Sequence, residues 1–119
     1  MDTDRLKKLQ EPSQTERLLE RLVTQARLVP ADAYQLRDPG ALPPALQEVL
    51  SLASGKEEVW VCWTDGNRIW LFTAEMSLPL SRERGAPVLT VTVYTEQGDL
   101  QDVGDWLVDQ DSKWQRCSD

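Results

Sequence analysis

Val59-Trp60-Val61-Cys62-Trp63-Thr64-Asp65-Gly66-Asn67-Arg68-Ile69-Trp70-Leu71-Phe72-Thr73 carries the clearest structural signal in the chain. Two runs rich in β-branched and aromatic residues flank Asp65-Gly66, a pair that favours the tight turn of a β-hairpin. Further on, Val88–Thr95 alternates and runs into Gln97-Gly98-Asp99, a second turn signal. Leu89, Val91 and Val93 then share one face, and Val88, Thr90, Thr92 and Tyr94 the other. A final strand pair is expected from Asp105–Val108 to Lys113–Arg116, turning at Asp109–Ser112.

Upstream of Lys56 the apolar spacing is helical. Ser13-Gln14-Thr15-Glu16 matches a capping box, and Leu18, Leu19, Leu22, Val23, Ala26 and Val29 follow at intervals of three and four. Pro30 closes that helix, which is expected over 13–29, with residues 1–12 loosely ordered before it. Asp38-Pro39-Gly40 reads as a turn. Pro43-Pro44 suit the start of a second helix over 44–54, with Ala45, Leu46, Val49, Leu50 and Ala53 on its apolar face and Gly55 as its stop. Helices at one end of the sequence and strands at the other indicate an α+β fold. The expected architecture is one domain over the 119 residues, with two N-terminal helices packed on a four- to five-stranded antiparallel β-meander spanning 58–117.

The hairpin raises a question of covering. A three-residue loop places Val59, Val61 and Trp63 with Ile69 and Leu71, and leaves Trp60, Cys62, Trp70 and Phe72 on the opposite side. A two-residue turn shifts the register by one and mixes the sets. Neither register yields a polar face. If both helices cover the aliphatic side, Trp60, Trp70, Phe72 and Tyr94 form an aromatic surface to be covered by the Met76–Ala86 loop, the C-terminal strands, a ligand or a second subunit. On that reasoning these four residues are the expected interaction surface, and a two-fold homodimer is one way to bury them.

Charge and composition exclude several chemistries. The chain carries 13 basic and 20 acidic side chains, for a net charge of −7. Residues 58–119 account for −6 of it, with Glu96, Asp99, Asp102, Asp105, Asp109, Asp111 and Asp119 facing only Lys113 and Arg116. Such a surface repels phosphate backbones, so no nucleic-acid partner is expected. No stretch approaches the ~20 apolar residues of a membrane span. The first eight residues lack the apolar core of a signal peptide, so a cytoplasmic location is expected. With no histidine, Ser-His-Asp and Cys-His catalysis are excluded and the commonest zinc ligand is missing. No cofactor or metal site is expected. Cys62 reads as a small core residue, and Cys117 as an incidental thiol in the tail.

The expected function is therefore a non-enzymatic protein-interaction module, acting through the aromatic sheet face or the acidic C-terminal region. The alternative is a small-molecule binder or minor enzyme with a sheet-lined aromatic pocket, in which two of Glu58, Asp65, Glu75 and Glu96 converge at strand ends. Arg82 and Arg84, in a loop of about eleven residues, are further candidates for contacting a carboxylate or phosphate.

Overall fold

A computed structural model describes residues 14–53, 58–108 and 113–117. In chain order the elements are α1 (Gln14–Gln25), β1 (Tyr34–Leu36), a 3-10 turn at Pro39–Ala41, α2 (Pro44–Ala53), β2 (Val59–Thr64), β3 (Ile69–Met76), α3 (Leu78–Arg84), β4 (Val88–Tyr94), β5 (Leu100–Val108) and β6 (Trp114–Arg116). The six strands form one sheet in the order β1 to β6, and every neighbouring pair is antiparallel. The expected meander is present and is longer than expected. No helix among the described residues is long and apolar enough to cross a membrane.

The β2–β3 turn takes neither of the two expected forms. Thr64 pairs with Ile69, so four residues, Asp65 to Arg68, make the connection. A two-residue type I′ turn needs positive φ at both central positions; here only Gly66 has it, at 93°. Asp65 closes the wider turn instead, its Oδ1 accepting the backbone N–H groups of Asn67 and Arg68 at 2.8 Å each. Thr64 braces the turn by donating its hydroxyl to the Arg68 carbonyl at 2.8 Å and accepting the Gly66 N–H at 3.0 Å.

This turn sets the register: Val59 lies opposite Ala74, Val61 opposite Phe72, and Trp63 opposite Trp70. One face therefore carries Val59, Val61, Trp63, Trp70, Phe72 and Ala74, continued by Leu89, Val91 and Val93 on β4 and by Trp106 on β5. The other face carries Trp60, Cys62, Ile69, Leu71 and Tyr94.

Each face has its own helix. Leu18, Leu19, Leu22 and Val23 of α1 are buried against Val61, Trp70, Phe72, Leu89 and Val91. Leu46 of α2, with Leu42 just before it, is buried with Cys62 and Leu71 on the reverse side, where Val49, Leu50 and Trp60 pack around them. The expectation that both helices cover one face is overturned. A sheet that is apolar on both sides needs two covers, and the segment 26–43, containing β1, carries the chain round the β1 edge from one side to the other. The β4–β5 turn abuts α2: a Cβ on Gly98 would meet the Ala45 carbonyl oxygen at 3.3 Å, and Gly98 has φ 83°. Both the tight approach and the positive φ favour glycine at that position.

Several boundaries differ from the sequence expectation. The first helix stops at Gln25 rather than near 29. Leu28 N–H bonds the Val23 carbonyl at 3.0 Å and Arg27 N–H the Thr24 carbonyl at 3.3 Å, with Arg27 at φ 56°. This is a Schellman ending, in which glycine normally takes the left-handed position. A side chain there costs about 1–2 kcal/mol. Arg82 and Arg84 lie not in a loop but in the last turn of α3, which starts after Ser77 with Pro79 in its first turn and stops at Gly85 with φ 69°. β5 begins at Leu100, five residues before the expected start, and β1 was not expected. The capping serine Ser13, residues 1–12, the Gly55 stop and the Asp109–Ser112 turn lie outside the described residues.

Two predictions follow from this arrangement. Leu22→Ala and Leu46→Ala, on opposite sides of the sheet, should each cost about 2–5 kcal/mol in chemical denaturation. Arg21→Ala, exposed beside Leu22, should stay within about 0.5 kcal/mol. A small loss at Leu46 would mean that α2 does not cover its face. The second concerns Asp65, whose carboxyl is held below the usual aspartate range by the N–H groups of Arg68 and Asn67. Because the folded value is the lower one, the stability contributed by the ionised carboxylate is present above the ordinary value of ~3.9 and is lost as pH falls through the folded pKa. Denaturation curves from pH 6 to pH 2 should show this loss in the wild type and lack it in Asp65→Asn.

Candidate functional site

The four aromatic residues singled out as a surface do not form one. Trp70 and Phe72 belong to the core beneath α1, at 9% and 1% exposure. Trp60 and Tyr94 lie on the reverse face and are partly buried around Leu46 and Leu71. The parity of the four-residue turn separates them, and the chain's own helices cover both groups. The residues that were to pair two copies of the chain are thus split between two faces, Trp70 and Phe72 buried and Trp60 and Tyr94 partly buried.

The four strand-end carboxylates divide into two pairs. Register places Glu58 beside Glu75 at one end of the β2–β3 hairpin, and Asp65 with Glu96 at the other. The six residues of β2 separate these ends by roughly 20 Å. No group of three or more His, Cys, Asp or Glu positioned to hold a metal occurs among the described residues. Arg82 and Arg84 are exposed at the C-terminal end of α3, where the helix dipole favours cations.

Cys62 is fully buried, and burial pushes its thiol up to about 11, against a smaller opposing effect of a backbone hydrogen bond at Trp63. It stays a neutral thiol at physiological pH. Cys117 is partly exposed at the end of β6.

Two features absent from the sequence reading stand out. The first is the outer edge of β5. This strand has nine residues, but among the described residues β6 pairs only with Trp106–Val108, and the Cys117 N–H extends the contact to the Asp105 carbonyl at 2.8 Å. Leu100 and Val103 are 61% and 49% exposed. Arg116 reaches back across this edge. Its Nη2 donates to Asp102 Oδ1 at 3.0 Å and to the Val103 carbonyl at 2.9 Å. The guanidinium lies about 2.9 Å from where a Cβ on Gly104 would stand, and 6.0 Å from the Trp106 ring centroid. A side chain at position 104 would evict it. Exposed strand edges are commonly protected by such charged side chains.

The second is a cleft of about 490 Å³ between the end of α1 and β2, lined by Thr24, Arg27, Val29, Pro30, Ala33 and Trp63 among others. The indole N–H of Trp63 is buried without an acceptor among the described residues. Leaving a buried donor unpaired costs about 1–3 kcal/mol. A helical periodicity that runs on to Val29 hides the Arg27 turn, and nothing in the local sequence brings Trp63 to it.

No protein family, curated protein or solved structure matches the chain.

Thiol accessibility tests the placement of the cysteines. A disulfide reagent added to the native protein at pH 8 should label Cys117 promptly and Cys62 only on unfolding. Prompt labelling of both would place Cys62 outside the core.

Proposed function

We propose that the chain is a small acidic, non-enzymatic protein-interaction module that takes an extended, basic segment of a partner protein along the open edge of β5. The observation that carries this reading is the mismatch between the nine residues of β5 and the three of β6. Among the described residues it leaves the outer edge of β5 without a paired strand at Leu100–Val103, and an added strand gains affinity from main-chain hydrogen bonds there.

The direction of those backbone groups follows from the ladder. In an antiparallel strand, residues two apart turn their N–H and C=O to the same side. The Asp105 carbonyl is bonded from the β6 side, so the groups of Val103 face outward as well, as the Arg116 bond to its carbonyl requires. In the free protein Arg116 occupies that carbonyl, and a partner amide replaces it on binding. Charge selects the partner. Asp102 and Asp105 lie on the strand, and Glu96 and Asp99 in the turn leading into it, so a segment bearing lysine or arginine is favoured and nucleic acid is not. A cytoplasmic location belongs to the same proposal.

The test is a variant that keeps the sheet and removes the docking donor. Proline is tolerated on an edge where its missing N–H would face outward. Val103→Pro should fold with an unchanged circular dichroism spectrum. Immobilised wild-type protein should retain cytosolic proteins that elute as salt is raised from about 0.15 M to 0.5 M. The same proteins should be absent from the Val103→Pro matrix. Identical retention on both matrices, or no retention on the wild type, would overturn the reading.

A further inference from the structure

We infer that the cleft between the end of α1 and β2 is a binding site for a small organic anion, a carboxylate or sulfonate carried on an aryl or alkyl body. This site is separate from the β5 edge and independent of its role. Three observations meet in it. The first is the space: about 490 Å³, within the usual range for small-molecule sites, with Val29, Pro30, Ala31, Ala33 and Trp63 supplying apolar walls.

The second is Arg27. It stands on the cleft in the left-handed conformation, at φ 56°, the only non-glycine residue with positive φ among the described residues. The Schellman ending of α1 asks for glycine at this place, and the chain has an arginine. Its guanidinium has no hydrogen-bond or ion-pair partner among the described residues. Backbone strain of this kind gathers at ligand clamps, and here it falls on an arginine that lines an apolar cleft and has no partner among the described residues. A guanidinium binds carboxylate and sulfonate oxygens through paired N–H donors.

The third is the Trp63 indole N–H, sealed without an acceptor in a side chain that forms one wall. Buried donors in folded proteins are nearly always partnered. The N–H is itself sealed from the cleft, so a bound acceptor reaches it only if the ring turns. The net charge of −7 opposes approach of an anion. Screening at physiological ionic strength confines that repulsion to about 8 Å, and the apolar walls supply the rest of the affinity.

The experiment uses the full chain and two fluorescent probes that share an aromatic body, 8-anilinonaphthalene-1-sulfonate and its uncharged relative N-phenyl-1-naphthylamine. The sulfonate should bind saturably at one site. Arg27→Gly should weaken it about tenfold or more, the loss of one charge-assisted hydrogen-bond pair, while the uncharged probe binds the variant as it binds the wild type. The same variant should melt no lower than the wild type and up to about 4 °C higher, because glycine relieves the left-handed strain. That separates ligand binding from a structural role. In nitrogen-15 spectra the indole cross-peak that disappears in Trp63→Phe should move as the sulfonate is added. Equal sulfonate binding by Arg27→Gly, equal weakening of both probes, a lowered melting temperature or an unmoved Trp63 peak would each overturn the inference.

Discussion

The Asp65 carboxylate, accepting the amides of Asn67 and Arg68, holds β2 against β3 in one register, and the rest of the molecule depends on that register. Side chains alternate across a strand, so a slip of one residue would exchange the residues of the two faces. With Val61 opposite Phe72, one face is shaped for the α1 stripe of Leu18, Leu19, Leu22 and Val23, and the other for Leu46. The exposed turn and the residues buried farther along the strands thus share one register.

Because the hairpin is apolar on both sides, one helical cover is not enough. The two helices sit on opposite faces, and the sheet becomes the middle layer of the fold. This arrangement uses up the aromatic residues that would otherwise have formed a surface. What the molecule presents outward is the sheet edge and the segments that end its helices. At the edge, Arg116 lies over Gly104, bonded to Asp102 and to the Val103 carbonyl, a polar latch on backbone that would otherwise invite pairing. At the end of α1, Arg27 holds a turn that glycine would hold with less strain. Two of the chain's 13 basic residues are thus committed to specific positions within an acidic surface.

Much of the local structure is legible in the sequence because its causes are local. Helical spacing in Leu18–Val23 and Ala45–Leu50, alternation in Val88–Tyr94, and the turn at Gln97-Gly98-Asp99 each arise from a few adjacent residues. The structure reproduces them, with Gly98 at φ 83°. Helix α3 falls in the segment expected as a loop, because its seven residues carry too little periodicity to separate a helix from a loop. Strand β1 had no comparable signal, since its three residues are extended through pairing with Cys62, Trp63 and Thr64.

The sequence by itself determined the α+β class, the antiparallel meander, the acidic surface and the absence of histidine chemistry, since these depend on composition and near-neighbour pattern. Tertiary structure alone decided which face each helix covers, where Trp60 parts from Trp70 and Phe72, how far β5 outruns β6 among the described residues, and that Arg27 and Trp63 line one cleft. Asp65-Gly66-Asn67-Arg68 is compatible with turns of two, three or four residues, which differ by small local energies. Only the three-residue form would exchange the faces of one strand, and the burial that excludes it exists only once the strands and helices have met.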